Sequence, residues 1–181
     1  MTPSLPAPNL ALIGFMGSGK TSVGRALGGR IGLRFFDLDE ILEAQEGMSV
    51  EGIFRARGEP YFRARETALF GRLCGGRDQI IGCGGGTLLD PGNRTLLRDR
   101  CYSIWLRASL AEILRRVEAP GAPVRPLLLG SERDRVVRDL LHRRQPLYER
   151  ADLVVDTDAR EVEQVVEEIL DRTGIREGPC G

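Results

Sequence analysis

Lysine is almost absent from this chain of 181 residues: Lys20 is the only one among 26 basic side chains, and the rest are arginine. Histidine also occurs once, at His142, inside an arginine-rich stretch of helical pattern where a solvated residue is expected. A solvated His142 speaks against a histidine-based triad, and a single histidine against a multi-histidine metal site. The four cysteines, Cys74, Cys83, Cys101 and Cys180, form no CxxC pair, and they suggest neither a zinc site nor a disulfide framework. No apolar run approaches the ~20 residues of a membrane span. The start, MTPSLPAPNLALIGF, lacks the basic flank and long apolar core of a signal peptide. A cytoplasmic protein with no membrane partner is expected. Formal net charge is zero, without the basic excess of a nucleic-acid binder, so no nucleic-acid partner is expected either. With no repeat and no low-complexity tract, residues 1–181 fit one domain that is long enough to bury a proper core.

The chain alternates short apolar runs with helical patterns. Asn9–Ile13 reads as a buried strand, and Val23, Ala26, Leu27 and Ile31 recur at helical spacing after it. Leu33–Phe36 is a second strand ending at Asp37. Helices follow over Asp39–Gln45, stopped by Gly47, then from about Ser49 to Arg57 and from Glu59 to about Leu73. Gln79–Ile81 is a strand that empties into the glycines Gly84, Gly85 and Gly86. Asp90-Pro91 opens a helix, Cys101–Leu106 is a strand, and Ser109 with Glu112 reads as a capping box. Residues 118–131, rich in proline and glycine, form a loop or lid. Ser131 and Asp134 cap a long helix to about Tyr148; Leu153–Val155 is the last strand and Glu161–Asp171 the last helix. Residues 173–181 are a loose tail. Alternation of this kind implies an α/β fold, with about five parallel strands and helices on both faces. In such folds ligands gather at the carboxyl ends of the strands.

Gly14-Phe-Met-Gly-Ser-Gly19-Lys20-Thr21 matches G-x-x-x-x-G-K-[ST], between the strand and the helix that this phosphate-binding loop requires. Its glycines let backbone N–H groups turn toward phosphate oxygens, and the next helix adds the positive end of its dipole. Lys20 is expected on the terminal phosphates of a nucleoside triphosphate and Thr21 on Mg²⁺. Asn9 and Asn93 are the only asparagines and no second lysine exists, so the guanine-reading Asn-Lys-x-Asp motif of a signalling GTPase is missing. A small-molecule kinase remains, and its acceptor must supply a hydroxyl.

Several residues suit that acceptor. Asp37 and Asp39, two apart on what reads as an extended segment, would lie on one side of the chain, where one carboxylate can hold hydrated Mg²⁺ and another can accept an acceptor hydroxyl. Arg55, Arg57 and Arg65 read as a solvated face. Arg63, flanked by Tyr61, Phe62 and Ala64, could instead be held beside a pocket, where its fork would suit a carboxylate. Gly84–Gly86 brings bare backbone to the same edge, either to meet a ligand or to make a tight turn.

Together FMGSGKTSVGR, FFDLDE, EPYFRARE, GCGGG, VRPLL and RRQPLYERAD resemble the shikimate kinase family, in the family's order and over about residues 10–171. The resemblance implies a three-layer α/β/α fold like that of the nucleoside monophosphate kinases, with a substrate-binding segment at about 38–73 and a mobile lid at about 118–131. It implies transfer of the γ-phosphate of ATP to the 3-hydroxyl of shikimate, in aromatic amino-acid biosynthesis, by a monomer. On that resemblance Gly17, Ser18, Gly19, Lys20, Thr21 and Ser22 would bind ATP, with Arg116 and Arg160 near adenine and Arg125 swinging onto the phosphates. Asp39, Arg63, Gly84, Gly85, Gly86 and Arg144 would bind shikimate, Arg63 and Arg144 clamping its carboxylate and Asp39 engaging the reacting hydroxyl. Thr21 would ligate Mg²⁺ directly and Asp37 through water. Lys20, Asp39 and Arg125 would be the catalytic set. Cys83 departs from the family's usual Ser or Thr, and the lid is lengthened over Ala119–Pro123. A gluconate kinase shares the loop and fold, but Phe62-Arg63 and the glycine run argue against it. A non-catalytic nucleotide-binding protein would have no reason to keep Lys20, Asp37, Asp39 and Arg125 together.

Overall fold

The computed structural model describes residues 5–119 and 133–176. Five strands, β1 (Asn9–Ile13), β2 (Arg34–Asp37), β3 (Gln79–Gly82), β4 (Cys101–Arg107) and β5 (Leu153–Asp156), form one sheet in the order β2-β3-β1-β4-β5. Every pairing is parallel. β1 is central, with Leu10 opposite Ile80 on one side and Tyr102 on the other. Each strand–helix–strand crossover covers a face of such a sheet, which is why all five residues of β1 are buried.

The period of two along a strand divides the core into two layers. Leu10 and Leu12 face α1 (Lys20–Ile31) and α7 (Val162–Thr173), packing with Leu27, Ile31, Val166 and Ile169. Ala11 and Ile13 face the other way. They join Leu42 of α2 (Leu38–Glu46), Phe70 of α3 (Val50–Cys74) and Leu97 of α4 (Pro91–Arg100), with Ile113 of α5 (Leu110–Val117) and Tyr148 of α6 (Arg133–Tyr148) in the same layer. Burying a side chain such as Leu12, which is fully enclosed, stabilises the fold by roughly 1.5–3 kcal/mol. No helix among the described residues is long and apolar enough to cross a membrane.

The expected elements are present, with local differences. The two helices expected over Ser49–Arg57 and Glu59–Leu73 run on as α3, broken in direction at Gly58 (φ 80°). Ser109 caps α5 by accepting from the Glu112 N–H, but the reciprocal half of a capping box is absent: the Ser109 N–H donates to Asp158, and the Glu112 carboxylate turns to Arg115 and Arg116. The segment carrying Asp37 and Asp39 is not extended throughout, because Asp37 is itself the N-cap of α2 and accepts from the N–H of Asp39. A 3-10 turn at Thr87–Leu89 follows the glycine run. The chain packs beyond Thr173, since Gly174 caps α7 and Ile175 is buried in the core. Arg125, Ser131 and the 118–131 loop past Ala119 lie outside the described residues, as do 177–181.

Candidate active site

The loop Gly14–Thr21 leaves the carboxyl end of β1 and enters α1. Gly17 (φ 78°) and Gly19 (φ 90°) take left-handed backbone conformations that side chains disfavour, which turns the loop back on itself. Gly19 is the N-cap of α1 and offers no side-chain partner, so the N–H groups of the first turn face the loop's concavity. Lys20 Nζ donates to the carbonyls of Phe15 (2.9 Å) and Gly14 (3.0 Å), which keeps the ammonium beneath that concavity. Gly17, Gly19, Lys20, Thr21 and Ser22 line one cavity together with Asp37 and Asp39. Ser18 is buried, and its hydroxyl makes no hydrogen bond among the described residues.

Arg116 of α5 fastens this loop from the far side. Its guanidinium donates to the carbonyl of Gly17 (3.1 Å), to the carbonyl of Thr157 (2.6 Å) and to Glu112 (2.6 Å). Arg115 and then Arg116 hold the Glu112 carboxyl down to about 2. Arg160, at the β5–α7 junction, donates to the carbonyls of Asp156 (3.0 Å) and Gln164 (2.7 Å) and pairs with Glu168. Both arginines thus have their forks engaged by protein at the same edge of the sheet.

The Thr21 hydroxyl donates to Asp37 Oδ2 at 2.7 Å, while Asp37 Oδ1 accepts from the α2 backbone. This geometry leaves the lone pairs of the Thr21 oxygen available beside a carboxylate. The pair fits Mg²⁺, a hard cation that takes few protein oxygens and completes its shell with water and phosphate.

A second cavity adjoins the first, and Met16, Asp39, Val50 and Gly85 belong to both. Its far wall carries Phe54, Phe62, Arg63, Glu66 and Arg144, with the Gly84–Gly86 backbone at the rim. Arg63 lies between Glu66 (2.7 Å) and Glu59 (3.2 Å), over the ring of Phe62. Burial opposes its charge, but Glu66 and Glu59 outweigh that effect and raise its pKa above the ordinary arginine value. Glu66 is itself only 1% exposed and also accepts from the Thr87 hydroxyl at 2.6 Å. Arg144 is treated differently. It is 5% exposed, lies over the ring of Phe15, and makes no ion pair among the described residues. Burial, with the neighbouring Arg63 adding to it, pushes its pKa down. A buried guanidinium without a carboxylate is costly, and it marks a place where an anionic ligand would be welcome.

Lys20, Thr21, Asp37, Asp39, Arg63, Arg144 and the glycine run therefore converge, whereas Arg55, Arg57 and Arg65 stay on the outer face as expected. Sequence reasoning missed Glu59, Glu66, Thr87 and Tyr148. The first two carried a signal: Glu59, Arg63 and Glu66 stand at i, i+4 and i+7, the spacing of one helical face. Nothing local announced Thr87, which reaches Glu66 across 21 residues.

A nucleotide-type loop at the central strand of a parallel sheet, opening onto a separate acceptor cavity, defines the class: a P-loop kinase, a phosphotransferase with two substrates side by side. The family model for shikimate kinase matches residues 16–173. The chain belongs to the shikimate kinase family. It is 46% identical over 154 residues to a shikimate kinase of Stenotrophomonas maltophilia, covering 84% of each sequence. It is 38% identical over 181 residues to one of Geobacter metallireducens, covering 98% of each. Among solved structures it resembles the shikimate kinase of Acinetobacter baumannii in complex with shikimate, with a TM-score of 0.86 and 33% identity, over 92% of this chain and 93% of that one.

Proposed function

We propose that this chain transfers the γ-phosphate of ATP to the 3-hydroxyl of shikimate, giving shikimate 3-phosphate for aromatic amino-acid biosynthesis. The observation that carries this reading is the pair of adjoining cavities that share Asp39 and Gly85, one walled by the phosphate loop and the other by two arginines. ATP lies with its phosphates along Gly17–Ser22, and Arg116 and Arg160 border its base. Shikimate lies against Gly84–Gly86, its carboxylate toward Arg144 and Arg63, its reacting hydroxyl toward Asp39.

Phosphoryl transfer asks for alignment and charge neutralisation more than covalent work by the protein. The acceptor oxygen forms a bond to the γ-phosphorus as the bridging oxygen leaves with ADP, and Asp39 holds the hydroxyl proton. Lys20, and Arg125 from the 118–131 lid, offset the negative charge that spreads over the phosphoryl oxygens. Thr21, and Asp37 through water, would hold Mg²⁺, which would supply neutralisation of phosphate charge. Closing the lid excludes water, which would otherwise compete as acceptor. We read the protein as a cytoplasmic monomer whose partners are these small molecules.

ADP production from ATP, measured with and without shikimate and across a panel of polyols and hydroxy acids that includes gluconate, tests the proposal. Strong dependence on shikimate alone is expected. Turnover that favours another acceptor, or nucleotide binding without turnover, would overturn it.

A further inference from the structure

Tyr148 takes no part in the roles assigned above, yet it touches both halves of the acceptor cavity. It ends α6, one helical turn after Arg144, so the two side chains leave the same face of the helix. Its ring is 2% exposed and packs against Trp105 of β4, with centroids 5.9 Å apart. Its hydroxyl donates to the carbonyl of Gly85 at 2.7 Å. Gly85 is in turn close to Arg144: a Cβ there would come within 3.3 Å of Arg144 Nη1. Burial raises the Tyr148 pKa, and the adjacent Arg144 guanidinium acts in the opposite sense, as a cation beside the phenol oxygen must. The phenol therefore stays neutral and remains a donor.

We propose that Tyr148 is a positioning residue for the acceptor cavity: its hydroxyl ties the Gly85 backbone to α6 and so sets the distance between the glycine run and the Arg144 guanidinium. The proposal rests on the shikimate reading of that cavity. The partly buried Gly85 carbonyl takes its donor from the same helix that supplies the cation. If the hydroxyl is lost, the ring still fills its place against Trp105, but Gly85 and Arg144 are no longer tied.

Two variants separate positioning from bulk packing. Tyr148→Phe removes only the oxygen; Trp105→Phe lightens the ring's support and leaves the hydroxyl in place. Steady-state kinetics and thermal melts are measured on wild type and both variants. We expect Tyr148→Phe to raise KM for shikimate about 5-fold, within the range of one lost hydrogen bond, with KM for ATP within about 2-fold of wild type. Trp105→Phe should lower the melting temperature and leave KM for shikimate unchanged. A shikimate-dependent wild type with an unaltered Tyr148→Phe would overturn the positioning role alone. Loss of shikimate affinity in both variants in proportion to their loss of stability would reduce Tyr148 to a packing residue and also overturn it. A wild type indifferent to shikimate would overturn the functional reading and this inference with it.

Discussion

Gly86→Ala adds one methyl group, and the structure states where it must go. The backbone at Gly86 (φ −112°, ψ 0°) is open to alanine, so the consequence is steric rather than conformational. A Cβ built there lies 2.5 Å from Arg63 Nη2 and 2.6 Å from both Cζ and Nη1. Ordinary contact begins at 3.4 Å, so the guanidinium must retreat by about 0.9 Å, moving off the face of the glycine run. A flexible arginine tip usually yields cheaply. This one is held by Glu66 at 2.7 Å, by Glu59 at 3.2 Å and by the ring of Phe62, so yielding costs hydrogen bonds.

A charge-assisted hydrogen bond contributes about 1.5–3 kcal/mol, which is about 10- to 150-fold in affinity. Because Arg63 keeps its charge and loses only its alignment, the lower end applies: shikimate should bind about 10-fold more weakly to Gly86→Ala. ATP should bind within about 2-fold of wild type, since Gly86 does not line the cavity that holds Lys20 and Thr21. Calorimetric titration of each ligand, with a thermal melt of the apo protein, reads both effects. Gly29→Ala is the matched control, because a Cβ there meets nothing within 4 Å on an α1 turn; it should be neutral or slightly stabilising, with both affinities kept. Unchanged shikimate affinity in Gly86→Ala would refute the placement of Arg63 against the ligand.

Lys20→Ala should abolish turnover at saturating ATP, because no second lysine exists to replace an ammonium held under the loop by Gly14 and Phe15; Lys20→Arg should fail as well, its planar fork not fitting between those carbonyls. Arg144→Met keeps length while removing a buried charge that has no ion pair among the described residues, so apo stability in urea should hold or rise while shikimate affinity falls at least about 10-fold. For Glu112, a folded pKa of about 2 against an ordinary 4.5 means that its contribution is complete above about pH 4.5 and lost as pH falls toward 2. Urea midpoints of Glu112→Gln should therefore lose the wild type's fall in that window; identical pH slopes would show that Glu112 adds nothing.

What was legible in the sequence follows from how local the physics is. The strands declared themselves through apolar runs such as Asn9–Ile13, and the phosphate loop through eight contiguous residues whose chemistry requires contiguity. Gly47 ended a helix in the left-handed conformation that glycine favours, whereas Gly174, which does the same for α7, was taken into the loose tail. The acceptor cavity was legible only as single residues. Arg63 could be singled out by its apolar neighbours, but not its pairing with Glu66, nor the contact with Gly86, which depends on how α3 lies across the end of β3. Asp37 and Asp39 show the same limit. Both line the phosphate-side cavity as expected, yet a helix begins between them, because Asp37 caps it while accepting from Thr21.

The two arginines of the acceptor cavity have opposite electrostatic settings, and this division has a functional logic. Arg63 is neutralised by Glu59 and Glu66, so its fork is held in place before any ligand arrives and little ordering entropy remains to be lost on binding. A site built of two such arginines would attract an anion weakly, since each charge is already answered. Arg144 supplies the missing demand: it is buried, it has no carboxylate within ion-pair distance among the described residues, and Arg63 further raises the cost of its charge. On the proposed reading, an incoming carboxylate would relieve that cost while Arg63 fixed its orientation. On that reading the fold carries the expense of a guanidinium with no ion pair among the described residues, and would recover it only with a ligand of the right charge beside Asp39. An uncharged polyol would leave Arg144 as it found it. Discrimination between acceptors would therefore come from a buried charge that has no ion pair among the described residues.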